Sequence, residues 1–194
     1  MSAPLHRIYG RPLDAALPKG FDQAIFGMGC YWGVERLFWR QDGIWLTSVG
    51  FAGGHADAPS YKQVCAGDTG HAEVVRLVYD SSRISYERLL QLFWENHDPT
   101  QGNRQGNDVG SQYRSMIMYS SDSQRALAEL SKADYGNRLA VGGFHDITTQ
   151  IVPLSTFWPA EEDHQQYLDR YPDGYCSLRG TGVKAPLTDI AEGY

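Results

Sequence analysis

Cys30 stands in the segment Gly29-Cys30-Tyr31-Trp32-Gly33, between the apolar run Gln23-Ala24-Ile25-Phe26-Gly27 and the helically spaced Val34, Leu37 and Phe38. A strand, a tight glycine turn and a helix are expected there, with the thiol on the turn. A thiol attacks as its thiolate, and a helix N-terminus favours negative charge, so this position suits a nucleophile. Gly29 and Gly33 leave room for a substrate to approach, and Tyr31 and Trp32 add an aromatic wall. The same pattern describes a small, inert cysteine packed at a strand end, and spacing alone supports the two readings equally.

A second candidate is Glu73, inside the alternating stretch from His71 to Tyr79. Glu73, Val75, Leu77 and Tyr79 share one face of that strand. A carboxyl on an apolar face would be desolvated and its pKa raised, but a solvated residue near the sheet end is the better reading of a lone glutamate from the pattern itself. The three cysteines, Cys30, Cys65 and Cys176, are too few and too odd in number for a disulfide scaffold. Cys65, between Val64 and Ala66, reads as a buried structural residue. No Cys-x-x-Cys or His-Glu-x-x-His spacing occurs, so no metal site is expected among His55, His71, His97 and the cysteines. A cysteine hydrolase with His71 or His97 as base stays open at this point, although nothing pairs either with Cys30.

The elements that must hold these residues follow from periodicity. Strands are expected at residues 23–27, 44–51, 71–79, 112–119 and 147–154, and helices after Cys30 and at 85–96 and 121–137. The 121–137 helix is expected to carry Ser or Asp as its cap and to turn Ala126, Leu127 and Leu130 inward. Pro159, followed by Ala160-Glu161-Glu162-Asp163, reads as the start of a last helix. A long polar stretch from Asp98 to Gly110 is expected to be a functional loop. Residues 1–20 read as an extended leader, and residues 171–194 as an irregular glycine-rich tail carrying Cys176. The interleaved order points to a single α+β domain over residues 1–194, a two-layer sandwich with helices packed on a mixed sheet.

The segment Gly-Cys-Tyr-Trp-Gly resembles the active-site signature of the peptide methionine sulfoxide reductase A family, whose common form has Phe in place of Tyr31. The resemblance continues in order through Gly50-Phe51-Ala52-Gly53-Gly54, Tyr61, Gly67-Asp68-Thr69-Gly70-His71-Ala72-Glu73 and His97-Asp98-Pro99-Thr100. It runs on through Arg104-Gln105-Gly106-Asn107-Asp108-Val109-Gly110, Gln112-Tyr113-Arg114-Ser115 and Gly174-Tyr175-Cys176, nearly the whole chain. What this resemblance implies is a ferredoxin-like core and thiol-dependent reduction of methionine S-sulfoxide, free and in proteins. Cys30 would be the nucleophile, Glu73 the acid, and Tyr61 and Tyr113 the donors to the sulfoxide oxygen. Tyr31 and Trp32 would line the pocket for the methyl group, and Asp108 would lie near the substrate backbone. Cys176 matches the recycling cysteine, giving a Cys30–Cys176 disulfide for thioredoxin to reduce. Some members carry a further cysteine where this chain has Gly182-Val183-Lys184.

Composition narrows the partners. Hydrophobic residues make up 42% and charged residues 21%, and the net charge of −6 is scattered rather than blocked. No Lys/Arg stripe suggests nucleic acid, no apolar stretch approaches a membrane span, and no glycine-rich phosphate loop suggests a nucleotide cofactor. The chain is therefore expected to be cytoplasmic and without a bound cofactor, and the resemblance implies a monomer with thioredoxin as external reductant.

Overall fold

The computed structural model describes residues 3–186. Eight strands and five helices follow one another as β1 (Phe21–Gly27), α1 (Tyr31–Trp39), β2 (Ile44–Ala52), α2 (Tyr61–Ala66), β3 (Ala72–Asp80) and α3 (Tyr86–Asn96). The chain continues through β4 (Arg104–Gln105), β5 (Asp108–Val109), β6 (Met116–Tyr119), α4 (Asp122–Val141), β7 (Gln150–Pro153), β8 (Trp158–Pro159) and α5 (Tyr167–Arg170). Six strands form one mixed sheet in the order β7-β6-β1-β3-β2-β8, and β4 and β5 form a small hairpin apart from it. Only β6 and β7 pair in parallel, as the long α4 crossover between them allows.

Strand alternation sorts side chains between two clusters. Val75, Leu77 and Tyr79 of β3 join Phe26, Phe38, Phe51, Phe93 and Trp94 in the large core, with residues of α1, α3 and α4. Ala72 and Val74 point the other way, into a smaller cluster with Ile25, Met116 and Met118. Glu73 shares the large-core face and is only 2% exposed. The helix starts expected at Ser85 and Ser121 are present. Each serine hydroxyl accepts the N–H three residues on, from Arg88 at 3.2 Å and Gln124 at 3.2 Å.

Four expectations need correction. Along α4, Ala126 is exposed and Leu130 is 53% exposed, while Gln124, Ala128, Ser131, Tyr135 and Leu139 face inward. Hydrogen bonds decide this rotation. The Gln124 amide donates to Gln23 O at 2.9 Å, and Ser131 accepts the Trp94 indole N–H at 2.9 Å. The stretch expected as a strand from Gln112 begins instead as a 3₁₀ turn over Ser111–Tyr113, after Gly110 with φ +146°. The helix expected at Pro159 is absent, because Trp158 and Pro159 pair with Phe51 and Gly50 at the sheet edge. Only a 3₁₀ turn and the four-residue α5 follow, interrupted by Gln166 in the left-handed region. The leader is also more than a drape, since His6 within it is fully buried.

One buried carboxylate accounts for the last two corrections. Glu35 of α1 accepts from the Gln166 backbone N–H and side-chain amide, both at 2.8 Å, and from Thr47 Oγ1 at 2.9 Å. Thr47 Oγ1 in turn lies 2.9 Å from His6 Nε2. The leader, α1, β2 and the segment before α5 thus meet at one group, and donors worth more to it than helix continuation hold Gln166 out of helical geometry. Burial raises the Glu35 pKa to about 7 despite these donors. The unfolded chain therefore releases that proton first, and the stability this group confers falls as pH rises from about 4.5 to about 7. Glu35→Ala, which leaves three donors unpaired, is expected to lose about 3 kcal/mol or more in urea unfolding.

Candidate active site

Cys30 is the N-cap residue of α1, reached through Gly29 at φ +90°. A side chain at Gly29 would come within 2.6 Å of Gln105, so the turn is closed to any larger residue. The first helical N–H, that of Tyr31, donates to Glu73 Oε2 at 3.1 Å. The helix start and the buried strand carboxyl are therefore joined directly. Burial raises the Glu73 pKa to about 8, against the Tyr31 N–H, which stabilises the carboxylate, and with a smaller upward push from Asp108.

The Cys30 thiol departs from expectation. Burial raises its pKa most, the Glu73 charge raises it further, and the Trp32 backbone N–H opposes both. The helix N-terminus does favour the thiolate, but desolvation outweighs it. The resting pair is thus a thiol beside a carboxylic acid. Protonation of Glu73 removes the charge that most disfavours the thiolate.

Aromatic rings surround this pair. Tyr31 is 1% exposed and packs at ring distances of 6.0 Å from Phe51, 5.9 Å from His164 and 6.4 Å from Trp32. Trp32 stacks on Tyr167 at 3.9 Å and donates its indole N–H to His164 Nδ1 at 3.3 Å. Tyr61 opens α2, whose Ser60–Gln63 capping box fixes the start. Its backbone N–H donates to Glu161 Oε1 at 3.0 Å, and its ring lies 4.3 Å from His164. Tyr113 ends the 3₁₀ turn, which packs against β3, and after burial the Glu73 charge raises its phenol most. Burial pushes the hydroxyls of Tyr31, Tyr61 and Tyr113 well above the usual tyrosine range. All three stay neutral donors.

Cys65 is exposed, not buried as expected, because α2 is a surface helix with only Val64 turned inward. It sits four residues after Tyr61, on the same side of the helix. His71 and His97 are occupied elsewhere. His71 is held by Gly54 N at 3.0 Å and Ala56 O at 2.7 Å, and His97 by Phe93 O and Ser115 Oγ, each at 2.7 Å. Neither is a base for Cys30.

The long polar loop and the tail close over the helix start. The Gln105 side chain bonds the Asp98 backbone twice, at 3.0 and 2.8 Å, which holds the loop against Gly29. Asp108 then accepts from Tyr175 Oη at 2.9 Å and Ser177 Oγ at 2.6 Å, the two neighbours of Cys176. Cys176 Sγ rests on the first turn of α1, where a Cβ on Gly33 would meet it at 2.7 Å. The tail is pinned farther on as well, by Glu95 to Ala185 N at 2.9 Å and by Tyr135 to Val183 O at 3.2 Å.

Residues 22–190 match the family described as peptide methionine sulfoxide reductase. The chain belongs to that family. It is 52% identical over 184 residues to peptide methionine sulfoxide reductase MsrA of Streptomyces griseus, covering 94% of this chain and 83% of the relative. It is 53% identical over 183 residues to that of Rhodospirillum centenum, covering 94% and 84%. Among solved structures it is similar to methionine sulfoxide reductase A of Corynebacterium diphtheriae, with a TM-score of 0.82 and 40% identity over 90% of this chain and 84% of that one. It is also similar to the reduced form of Mxr1 from Saccharomyces cerevisiae, with a TM-score of 0.72 and 36% identity over 84% and 94%.

Within this reductase fold the eight residues singled out from sequence, Cys30, Tyr31, Trp32, Tyr61, Glu73, Asp108, Tyr113 and Cys176, come together at one end of α1. Sequence reasoning missed Glu161, His164 and Gln105, which position Tyr61, Trp32 and Gly29. His164 carried a signal, as the one histidine just after the acidic run Glu161-Glu162-Asp163. Two measurements check the geometry. Asp108→Ala removes the clasp on Tyr175 and Ser177, and hydrogen exchange at residues 174–178 is expected to speed up with the sheet unaffected. Glu73→Gln removes a buried acid whose pKa is raised. The variant's stability relative to the parent is expected to grow by a few kcal/mol as pH rises from about 4.5 to about 8.

Proposed function

We propose that the protein reduces methionine S-sulfoxide, free and in proteins, to methionine, and so repairs oxidative damage. The observation that carries this reading is the buried Glu73 carboxyl, hydrogen-bonded to the first N–H of the helix that Cys30 caps. Glu73 gives its proton to the sulfoxide oxygen, the carboxylate so formed takes the Cys30 thiol proton, and the Cys30 sulfur attacks the sulfoxide sulfur. Tyr61 and Tyr113, both neutral donors, hold that oxygen, and the rings of Tyr31 and Trp32 receive the methyl group. The oxygen then passes from the substrate sulfur to the Cys30 sulfur as the transient sulfur–sulfur bond opens, so methionine leaves and Cys30 becomes a sulfenic acid. Cys176, presented over α1 by the Asp108 clasp, then attacks the Cys30 sulfur. Water leaves and a Cys30–Cys176 disulfide forms. Thioredoxin's dithiol reduces that disulfide and restores both thiols.

Cys30 and Cys176 are free thiols, as the reduced enzyme of this scheme requires, and we place the chain in a reducing cytosol. No helix among the described residues is long and apolar enough to cross a membrane. We read the chain as one monomeric domain, a two-layer α+β sandwich with a ferredoxin-like core, its faces marked by the two apolar clusters.

A thioredoxin-coupled assay on the separated sulfoxide epimers tests the proposal. Turnover of the S epimer alone is expected, and turnover of neither epimer would overturn it. Cys30→Ser is expected to abolish reduction. Cys176→Ser is expected to release one methionine per enzyme and then stop. Glu73→Gln is expected to slow the first step at least about a hundredfold with substrate affinity nearly unchanged. In the parent enzyme that step is expected to fall away above pH 8, where the acid form of Glu73 is lost.

A further inference from the structure

Three buried side-chain polar atoms lack a hydrogen-bond partner among the described residues: Tyr31 Oη, Arg76 Nε and Tyr86 Oη. Of these, Tyr31 Oη alone belongs to the candidate active site. The Tyr31 ring packs among Phe51, Trp32 and His164 and is 1% exposed, so its hydroxyl is shielded from bulk water. Besides burial, the groups that act on this phenol are Glu73, Tyr61, Cys30 and Glu161. Its ring flanks His164, against which the Tyr61 ring also packs at 4.3 Å, and its own backbone N–H bonds Glu73 Oε2 at 3.1 Å, so the unpartnered hydroxyl belongs to the same enclosure as the proposed oxygen-binding groups.

A buried hydroxyl without a partner is a cost that phenylalanine, with the same ring, would not carry. That cost is recovered only when an acceptor arrives. The geometry points to the Tyr31 hydroxyl as a third donor to the sulfoxide oxygen, and to Tyr31 as the residue that favours sulfoxide over thioether at this site. The inference rests on the reading of the site as a sulfoxide reductase. A sulfoxide oxygen accepts several hydrogen bonds, whereas the thioether sulfur of methionine is a weak acceptor. Once the oxygen has passed to Cys30, the product leaves Tyr31 unpartnered again. Sites built to pair a polar group discriminate most strongly against ligands that lack it. The ring still serves the methyl group, and the hydroxyl adds a preference that a phenylalanine there does not supply.

Tyr31→Phe tests this, because the substitution keeps the ring and removes one oxygen. Binding of methionine S-sulfoxide and of methionine is measured by Trp32 fluorescence or calorimetry in a Cys30→Ser background, where no turnover occurs. Tyr31→Phe is expected to weaken sulfoxide binding about three- to tenfold and to leave methionine binding unchanged. With Cys30 intact, KM for the sulfoxide is expected to rise by the same factor while the rate of the first step changes little. An unchanged ratio of the two affinities, whether both hold or both fall, would overturn the inference and leave Tyr31 as packing. Failure of the reductase reading would show separately, as a Tyr31 parent enzyme that neither binds nor reduces the sulfoxide.

Discussion

An α-helix leaves its first N–H groups without partners, and in this protein they are turned on Glu73 and Cys30. The Tyr31 N–H reaches across to Glu73 on β3, and the Trp32 N–H is the one influence close to Cys30 that favours its thiolate. Because Glu73 is enclosed by the large core, ionising it there is costly, and the carboxyl keeps its proton close to neutrality. That single contact ties the helix start carrying Cys30, the proposed nucleophile, to Glu73, the proposed acid. It also couples their charges, since a carboxylate beside Cys30 suppresses the thiolate and a carboxylic acid does not. The remaining parts of the site serve to keep this pair dry and to bring polar groups to it without adding charge.

The parts that enclose the pair are held by polar side chains acting as struts. Gln105 locks the long loop through the Asp98 backbone, and Gln165 bonds both the N–H and the carbonyl of Val49 as a neighbouring strand would. Gln166 and Glu35 tie the segment before α5 to the middle of α1. Asp108 grips both neighbours of Cys176 and so sets that thiol, the proposed recycling group, over Gly33, where any side chain would push it away. Irregular backbone around the site is therefore ordered by side-chain hydrogen bonds rather than by regular secondary structure. Glycines at positions 29 and 33 matter for the same reason, as places where a strut or a thiol must come within contact of the main chain.

These struts mark the boundary of what the amino-acid sequence makes legible. Alternation identified β3 and the face of Glu73, and Ser85 and Ser121 announced the starts of α3 and α4, because those elements follow local rules. Cys30 was placed at its helix start by the glycines and helical spacing around it. The thiol's protonation state was not legible, because desolvation depends on what packs over the turn from residues 105 and 176. The rotation of α4 is not legible from apolar spacing for a related reason. Gln124 and Ser131 are buried because Gln23 O and the Trp94 indole need partners. Pro159 with its following acids looked like a helix start, and only the distant Gly50, Phe51 and Glu35 turn that segment to other uses.

The account depends most on the proton held by Glu73, and infrared difference spectroscopy reads it directly. The carboxyl C=O band that disappears in Glu73→Gln is followed in the resting enzyme across the pH range. A protonated carboxyl at neutral pH, titrating near pH 8, is the predicted result. A Glu73 already ionised at neutrality, titrating near the ordinary glutamate value, would contradict the pairing of buried acid and thiol on which the site is built.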